Sequence, residues 1–323
     1  MVPNLSRSPI ASSTDASLVT PSSAHVPDRY RLGDAVLTLS GDAALLDRFR
    51  TILGDCASTS TDDHLPSVVC NVDGDRVSFA YPGPPLTLDA FVEQVAGSGW
   101  QVSEDSIAID RAIEWRGVIA NCAINVALAI QRDALFFHAA SFDVAGRGAL
   151  LAGPKEAGKS TTSLAVAARG HRLLGDEIAA VRTRSNEVLP FPRAVSVREG
   201  IRSEWIDERL RVSPSVEERY PDGSRRLRVR VSDLFSSMSM EPVPLKVVFF
   251  LRPFGASTRI ERFTPSRDQT ALLEPLGSAL WGDSGAARRF QLLRLISSIP
   301  CYYLAPGSPD ETARAIEEMM EAA

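Results

Sequence analysis

The chain has 323 residues, 23% of them charged, and a formal net charge of −5. That length exceeds one typical domain, so two are predicted, with ample chain to bury a core. The acidic balance argues against a nucleic-acid binder that relies on a broad basic field, and no apolar run reaches the roughly 18 residues of a membrane-spanning helix. The four cysteines, Cys56, Cys70, Cys122 and Cys301, make no C-x-x-C pair and no metal-ligand spacing. They read as free, mostly buried thiols in a reducing cytoplasm.

Residues 1–28 are rich in Ser, Pro, Thr and Ala and read as a disordered tail. They lack the charged segment and apolar core of a secretory signal. Residues 29–113 read as a small α+β domain. Ala35 to Leu39 predicts a strand, and Ala43 to Leu53 has helical spacing. Asp73-Gly74 lies between two apolar runs, Ser67–Cys70 and Arg76–Phe79, which signals a hairpin. Leu86 to Ala96 reads as a short helix and Ser106 to Ile109 as a strand. The loop Asp62-Asp63-His64 reads first as a solvated loop and second as a metal site, since no other ligand cluster is near in sequence.

Residues 114–323 read as the second domain. Val118, Ile119, Cys122, Val126 and Ile130 repeat at helical spacing over Arg116–Ile130. Ala134 to Asp143 alternates as one strand carrying His138. A turn, Ala145 to Gly148, leads into the apolar strand Ala149–Ala152. Then comes Gly153-Pro154-Lys155-Glu156-Ala157-Gly158-Lys159-Ser160, which satisfies the P-loop pattern G-x-x-x-x-G-K-[ST]. Thr161 to Arg169 continues as a helix closed by Gly170.

Strand, glycine loop and helix N-terminus are the setting the motif requires. Unpaired N–H groups and the positive end of the helix dipole attract phosphate there. Gly153 to Thr161 is therefore the expected nucleotide site. Lys159 can reach the β- and γ-phosphates, and Ser160 can set its hydroxyl on a magnesium ion. ATP and magnesium are the ligands expected. The next strand, His171 to Gly175, ends in Asp176-Glu177, as a Walker-B-like strand holding the metal would. The short gap from Lys159 to Asp176 predicts that the two strands are close neighbours. A turn acid pair is the plainer alternative.

Downstream, Ile178–Thr183 and a segment ending Val188–Pro192 predict paired strands, residues 194–198 an extended segment, and Ile201–Arg211 a helix. Residues 212–229 are polar. The run Arg225 to Arg230, alternating Arg with apolar residues, reads as a solvated edge strand or as a grip on an acidic substrate. Leu245–Leu251 is a buried strand and Thr258–Phe263 another. Gln269–Leu280 and Ala286–Ser297 read as helices and Cys301–Leu304 as a late strand. The last helix starts with Ser308 as N-cap, Pro309 at the first helical position and Glu311 closing a capping box. The fold class is α/β, a mixed sheet around the P-loop flanked by helices.

The stretch from His138 through Gly153, and then Arg169-Gly170-His171-Arg172-Leu173-Leu174-Gly175-Asp176-Glu177, resembles the HPr kinase/phosphorylase superfamily, with spacing kept without gaps from histidine to P-loop to acid pair. That superfamily is related in fold to phosphoenolpyruvate carboxykinase. It includes HPr-kinase-like proteins of peptide-modification clusters, among them kinases similar to those acting on lasso-peptide precursors. The resemblance implies an HPr-kinase C-terminal-domain-like fold and serine phosphorylation. It makes Asp176 the general base, Glu177 its neighbour or a metal ligand, and His138 a residue beside the γ-phosphate. It leaves the order of the two acid roles open, because the family usually has two Asp residues here. It also implies possible homo-oligomers. The chain departs from the family at Lys155-Glu156, where the family usually has Ser-Gly, and glycine permits backbone angles that glutamate resists. The family's glycine-rich phosphorolysis segment is not found, so phosphorylase activity is not expected. The first domain does not match that of the HPr enzyme, so HPr is not the expected acceptor.

The expected function is an ATP- and magnesium-dependent kinase acting on a serine of a peptide or small protein, or on a small hydroxyl substrate. Asp176, His138 and Lys159 are its catalytic residues, and Ser160, Asp176 and Glu177 its metal set. The alternative is a non-catalytic nucleotide-binding sensor or scaffold, favoured by Glu156 in the loop. No nucleic-acid or membrane partner is expected.

Overall fold

The structure, a computed structural model, describes residues 28–96, 99–111, 114–198, 204–219, 225–236, 239–265 and 286–322. Of the tail expected over residues 1–28, only the last residue is described, and the helix expected over Gln269–Leu280 lies outside the described residues. The described chain is a mixed α/β protein with three sheets. Among the described residues no helix is long and apolar enough to cross a membrane.

The first sheet has the order β1-β2-β3-β4-β5, from β1 (Asp28–Leu32), β2 (Ala35–Ser40), β3 (Ser67–Asp73), β4 (Arg76–Ala80) and β5 (Ser106–Ala108). Helix α1 (Ala43–Leu53) connects the parallel neighbours β2 and β3. Asp42 caps it by accepting from the Leu45 N–H at 2.7 Å, and Leu45, Leu46, Phe49, Ile52 and Leu53 form its buried face. In the β3–β4 hairpin Asp73 pairs with Arg76, so Gly74-Asp75 is the turn, with Gly74 at φ 56°. Helix α2 (Leu88–Ala96) precedes β5. In the Asp62-Asp63-His64 loop Asp63 and His64 are exposed, as expected of a solvated loop, but Asp62 turns inward. Buried Asp62 accepts from the Thr59 N–H at 2.9 Å and pairs with Arg31 at 3.2 Å. Among the described residues no group of three or more His, Cys, Asp or Glu can hold a metal ion.

Helix α3 (Trp115–Ala129) is buried along most of its length because apolar surface meets it from two sides. Its Ile119, Cys122, Ala123 and Val126 share one hydrophobic cluster with Leu37 and Val68 of the first sheet and with Phe136, Ala180 and Phe191 beyond it. A continuous core thus crosses position 113. Gln131 reinforces the join, donating to the Leu32 and Ala127 carbonyls at 2.8 Å each and accepting from the Asp34 N–H.

The second sheet has nine strands. They are β6 (Ala134–Phe137), β7 (Ala140–Val144), β8 (Arg147–Ala152), β9 (Arg172–Gly175), β10 (Ala179–Arg182), β11 (Glu187–Leu189), β15 (Val243–Leu251), β16 (Arg259–Phe263) and β17 (Cys301–Ala305). The third sheet, β12 (Val195–Arg198), β13 (Ser215–Arg219) and β14 (Arg225–Val229), is antiparallel with β14 in the middle. Among the described residues the helices that follow α3 are α4 (Lys159–Ala168), α5 (Glu204–Val212), the single turn α6 (Val231–Leu234), α7 (Ala286–Ser298) and α8 (Pro309–Ala322). Alternation along β15 splits its side chains between two layers. Val248 and Phe250 join Leu292, Leu295 and Ile296 of α7, whereas Val247, Phe249 and Leu251 join α4 and α8 through Val166, Ile316 and Met320.

Four expectations are corrected. The single strand over Ala134–Asp143 is two strands, broken at His138-Ala139, so β6 and β7 pair with different partners. The strand of the loop, β8, and the strand of the acid pair, β9, are not neighbours; β7 lies between them, antiparallel to both. The Arg225–Arg230 run is no solvated edge, since β14 is central and Arg228 is buried. In α8 Ser308 accepts from the Glu311 N–H at 3.3 Å, but the Glu311 carboxylate accepts from the Thr258 N–H at 3.0 Å rather than closing a capping box. All four cysteines are free and buried, as expected.

Candidate active site

The site is built where β8 ends. Strand β7 is antiparallel to both β8 and β9, so β8 and β9 run the same way and release their following loops at the same end. β15 runs parallel to β8 and β17 parallel to β15. Open α/β sheets place ligands beyond such carboxyl ends.

Gly153 leaves β8 where a side chain would not fit, because a Cβ there would stand 2.9 Å from the Cβ of Leu251. The loop then turns over itself, with the Ala157 N–H donating to the Pro154 carbonyl, and Gly158 takes the left-handed conformation at φ 96° as the N-cap of α4. The Thr162 N–H donates to the Gly158 carbonyl at 2.9 Å, which opens the helical ladder. The N–H groups of Lys159, Ser160 and Thr161 precede the intrahelical ladder, as at any helix start. Lys159 is buried, and its Nζ donates to the Gly153 and Pro154 carbonyls at 2.8 and 3.0 Å. Burial holds its ammonium pKa below the ordinary value, against the charges of Asp176 and Glu177. Lys155 and Glu156 are exposed. Glu156 sits at φ 70°, an angle glycine would take without strain. Its carboxylate pairs with Arg198 of β12, which holds its pKa below the ordinary value.

The acids arise from a tight turn after β9. A Cβ on Gly175 would stand 2.5 Å from the Ile178 carbonyl, so only glycine fits. Glu177 adopts a left-handed φ of 65°, and the two acids diverge. Asp176 is 3% exposed and accepts from the Ser160 hydroxyl, Oγ to Oδ1, at 3.0 Å. Its Oδ2 is buried and has no hydrogen-bond partner among the described residues. Burial, with the Glu177 charge beside it, pushes the Asp176 carboxyl up to about 6. Glu177 turns instead to Arg193 at 3.5 Å and Arg228 at 3.7 Å. Burial would raise its pKa, but the two guanidinium groups outweigh that and hold it below the ordinary value.

His138 lies at the break between β6 and β7, held against the Glu177 backbone. Burial and then the charge of Lys159 lower its pKa, which favours the neutral imidazole. His138, Lys159, Ser160, Asp176 and Glu177, dispersed over three loops, therefore converge.

The sequence reading missed the arginines behind the acids. Arg228 donates to Glu218 at 2.9 Å and to the Ala194 carbonyl at 3.1 Å, and Glu218 in turn meets Arg48 of α1 at 2.7 Å. A chain of alternating charge, buried at its centre, thus runs from Arg48 of α1 through Glu218 and Arg228 to Glu177. Its only local signal is an arginine every second residue in β14, which fits a solvated face equally well.

No protein-family model matches this chain, and no curated protein matches it. Among solved structures, the HPr(Ser) kinase/phosphatase from Coxiella burnetii is similar over 58% of this chain and 88% of that one, with 13% identity and a TM-score of 0.29. Likeness at that level bears on neither activity nor substrate.

Proposed function

We propose that this protein is an ATP- and magnesium-dependent kinase that phosphorylates a serine hydroxyl on a peptide, small protein or small molecule. One observation carries the reading. A buried carboxylate, Asp176, accepts a hydrogen bond from Ser160 at the start of a glycine-loop helix, and among the described residues its second oxygen has no hydrogen-bond partner.

The donor set suits magnesium, which takes one or two protein oxygens and leaves the rest of its shell to phosphates and water. Ser160 Oγ would hold the ion, with Asp176 behind it to orient the hydroxyl. When bound, the ion neutralises charge on the transferred phosphoryl group. The N–H groups opening α4 bind the phosphates of the donor. Lys159, now closed on the Gly153 and Pro154 carbonyls, adds a cation beside them. Asp176 Oδ2 accepts the proton of the acceptor hydroxyl as that oxygen bonds to phosphorus and the bond to the departing ADP breaks. Glu177, engaged by Arg193 and Arg228, anchors the turn that aims Asp176. Neutral His138 can donate a hydrogen bond near the phosphates. Glu156, drawn to Arg198, keeps its carboxylate from opposing them.

The test is calorimetry of MgATP with wild type and Lys159→Ala, followed by a screen of serine-containing acceptors. Wild type binds and the variant does not. A wild type that fails to bind MgATP sinks the reading and leaves a scaffold in its place.

A further inference from the structure

Phe254 is 57% exposed, and its ring lies against the glycine loop that opens α4. It follows β15, the parallel neighbour of β8, and so lies at the sheet end where the glycine loop opens. Its tip points at Gly158, the N-cap of α4. A Cβ built on Gly158 would meet the ring's Cζ at 2.7 Å, so the ring touches the backbone of the loop itself.

The exposure is not that of a loose loop. The Arg252 N–H donates to the Leu304 carbonyl at 2.8 Å, and the Gly255 N–H donates to the Pro306 carbonyl at 2.9 Å. The Thr258 N–H is held by Glu311, and the Gly307 N–H by Thr258 Oγ1. Arg252 is fixed as well, its guanidinium 3.9 Å from the centre of the Tyr303 ring, which stacks on Phe263. The backbone on either side of Phe254 is thus pinned to the β17–α8 connection while the ring faces solvent. Of the large exposed apolar side chains in the described residues, Val212, Val216, Phe290 and Leu293 lie on other elements.

We propose that Phe254 is the platform on which the base of the phosphate donor stacks, and that the donor is therefore a nucleoside triphosphate rather than an inorganic polyphosphate. This rests on the reading of Gly153–Thr161 as the phosphate site. A flat π-face held beside a phosphate-binding loop suits a base, because stacking requires a fixed aromatic and little else. A bare polyphosphate gains nothing from an apolar ring, whereas a base can stack on it while its phosphates reach the loop.

The test compares MgATP with magnesium tripolyphosphate by calorimetry on wild type, Phe254→Ala and Phe254→Tyr, with thermal melts as a check on folding. In wild type MgATP binds more tightly than tripolyphosphate. Phe254→Ala weakens MgATP by about tenfold or more, the order of one lost base-stacking contact, and leaves tripolyphosphate unchanged. Phe254→Tyr, which keeps the ring, restores MgATP binding. Equal affinity of wild type for the two ligands overturns the platform while the phosphate loop stands. Equal weakening of both by Phe254→Ala also overturns it and makes the ring a mere support for Gly158. Binding of neither ligand to wild type removes both readings.

Discussion

Gly153 to Thr161 and the arginines around the third sheet each engage one carboxylate of the acid turn, Asp176 through Ser160 and Glu177 through Arg193 and Arg228, but they are assembled differently. The loop gathers its groups within one strand, turn and helix, so neighbours in sequence are neighbours in space. Arg193 precedes β12, Arg198 ends it, and Arg228 comes from β14. They act together only because β14 pairs with β12, with Ser196 opposite Arg228 and Arg198 opposite Arg226. The loop supplies partly exposed groups that can meet a ligand. Arg193 and Arg228 supply buried charge that fixes the acid turn from behind, while the partly exposed Arg198 holds Glu156 of the loop. A local motif can be lost one residue at a time, whereas the buried chain Arg48–Glu218–Arg228–Glu177 should fail as a unit.

The sharpest way to break this contrast is Asp176→Asn, which keeps the hydrogen bond to Ser160 within reach but removes the proton acceptor. MgATP binding is retained, and transfer falls roughly 10²–10⁴-fold in single-turnover phosphorylation. Full activity in that variant would put the base elsewhere.

Arg228→Ala tests the buried side. Removing Arg228 takes one of the two guanidinium partners from buried Glu218 and leaves it to Arg48, at a cost of up to about 3 kcal/mol, the low end for breaking a buried pair. Urea unfolding reads it, and Arg228→Ala with Glu218→Ala should recover part of the loss. If the single variant unfolds like wild type, the arginine chain does not support the site.

Asp176 also gives a pH signature. Its folded-state pKa is raised from 3.8 to about 6, so the folded state binds this proton more tightly than the unfolded one. The stabilisation is complete below about 3.8 and is lost as pH rises through about 6, on the order of 3 kcal/mol in the ligand-free protein. Melting temperatures followed from pH 4 to 7 should show that decline in wild type relative to Asp176→Asn. Transfer has the opposite sense: it rises with pH through about 6 as the base deprotonates.

The smallest effect is expected at the edge of the loop. Glu156→Gly relieves a left-handed backbone and removes a carboxylate near the phosphates, at the expense of the Arg198 pair. MgATP should bind more tightly by less than about tenfold, since the charge is solvent-screened. Weaker binding would mean that Glu156 takes part in the site.

Much of the frame was legible in the residues. Helix α1 spans Ala43–Leu53 as its spacing predicts, and Asp73-Gly74-Asp75 opens the hairpin at the expected place. Local rules suffice where an amphipathic stripe or a turn residue settles the matter. They mislead where one pattern admits two environments. Ala134–Asp143 reads as one extended apolar stretch, yet the chain breaks at His138 to change partners, and nothing in the local pattern marks that. Strand β14 alternates as an edge strand would, but its burial depends on β12 and α1, which are remote in sequence, as well as on the adjacent β13.

By itself, then, the sequence determined the strand–loop–helix unit, its glycines and the acids that follow, because each depends on a few consecutive residues and on backbone angles. Only the tertiary structure decided that β7 separates β8 from β9 while Asp176 still reaches Ser160. It also decided that Glu177 belongs to Arg193 and Arg228, and that Phe254 stands over Gly158. Those outcomes follow from strand order and burial, which are set by long-range pairing and by the cost of leaving a buried charge without a partner.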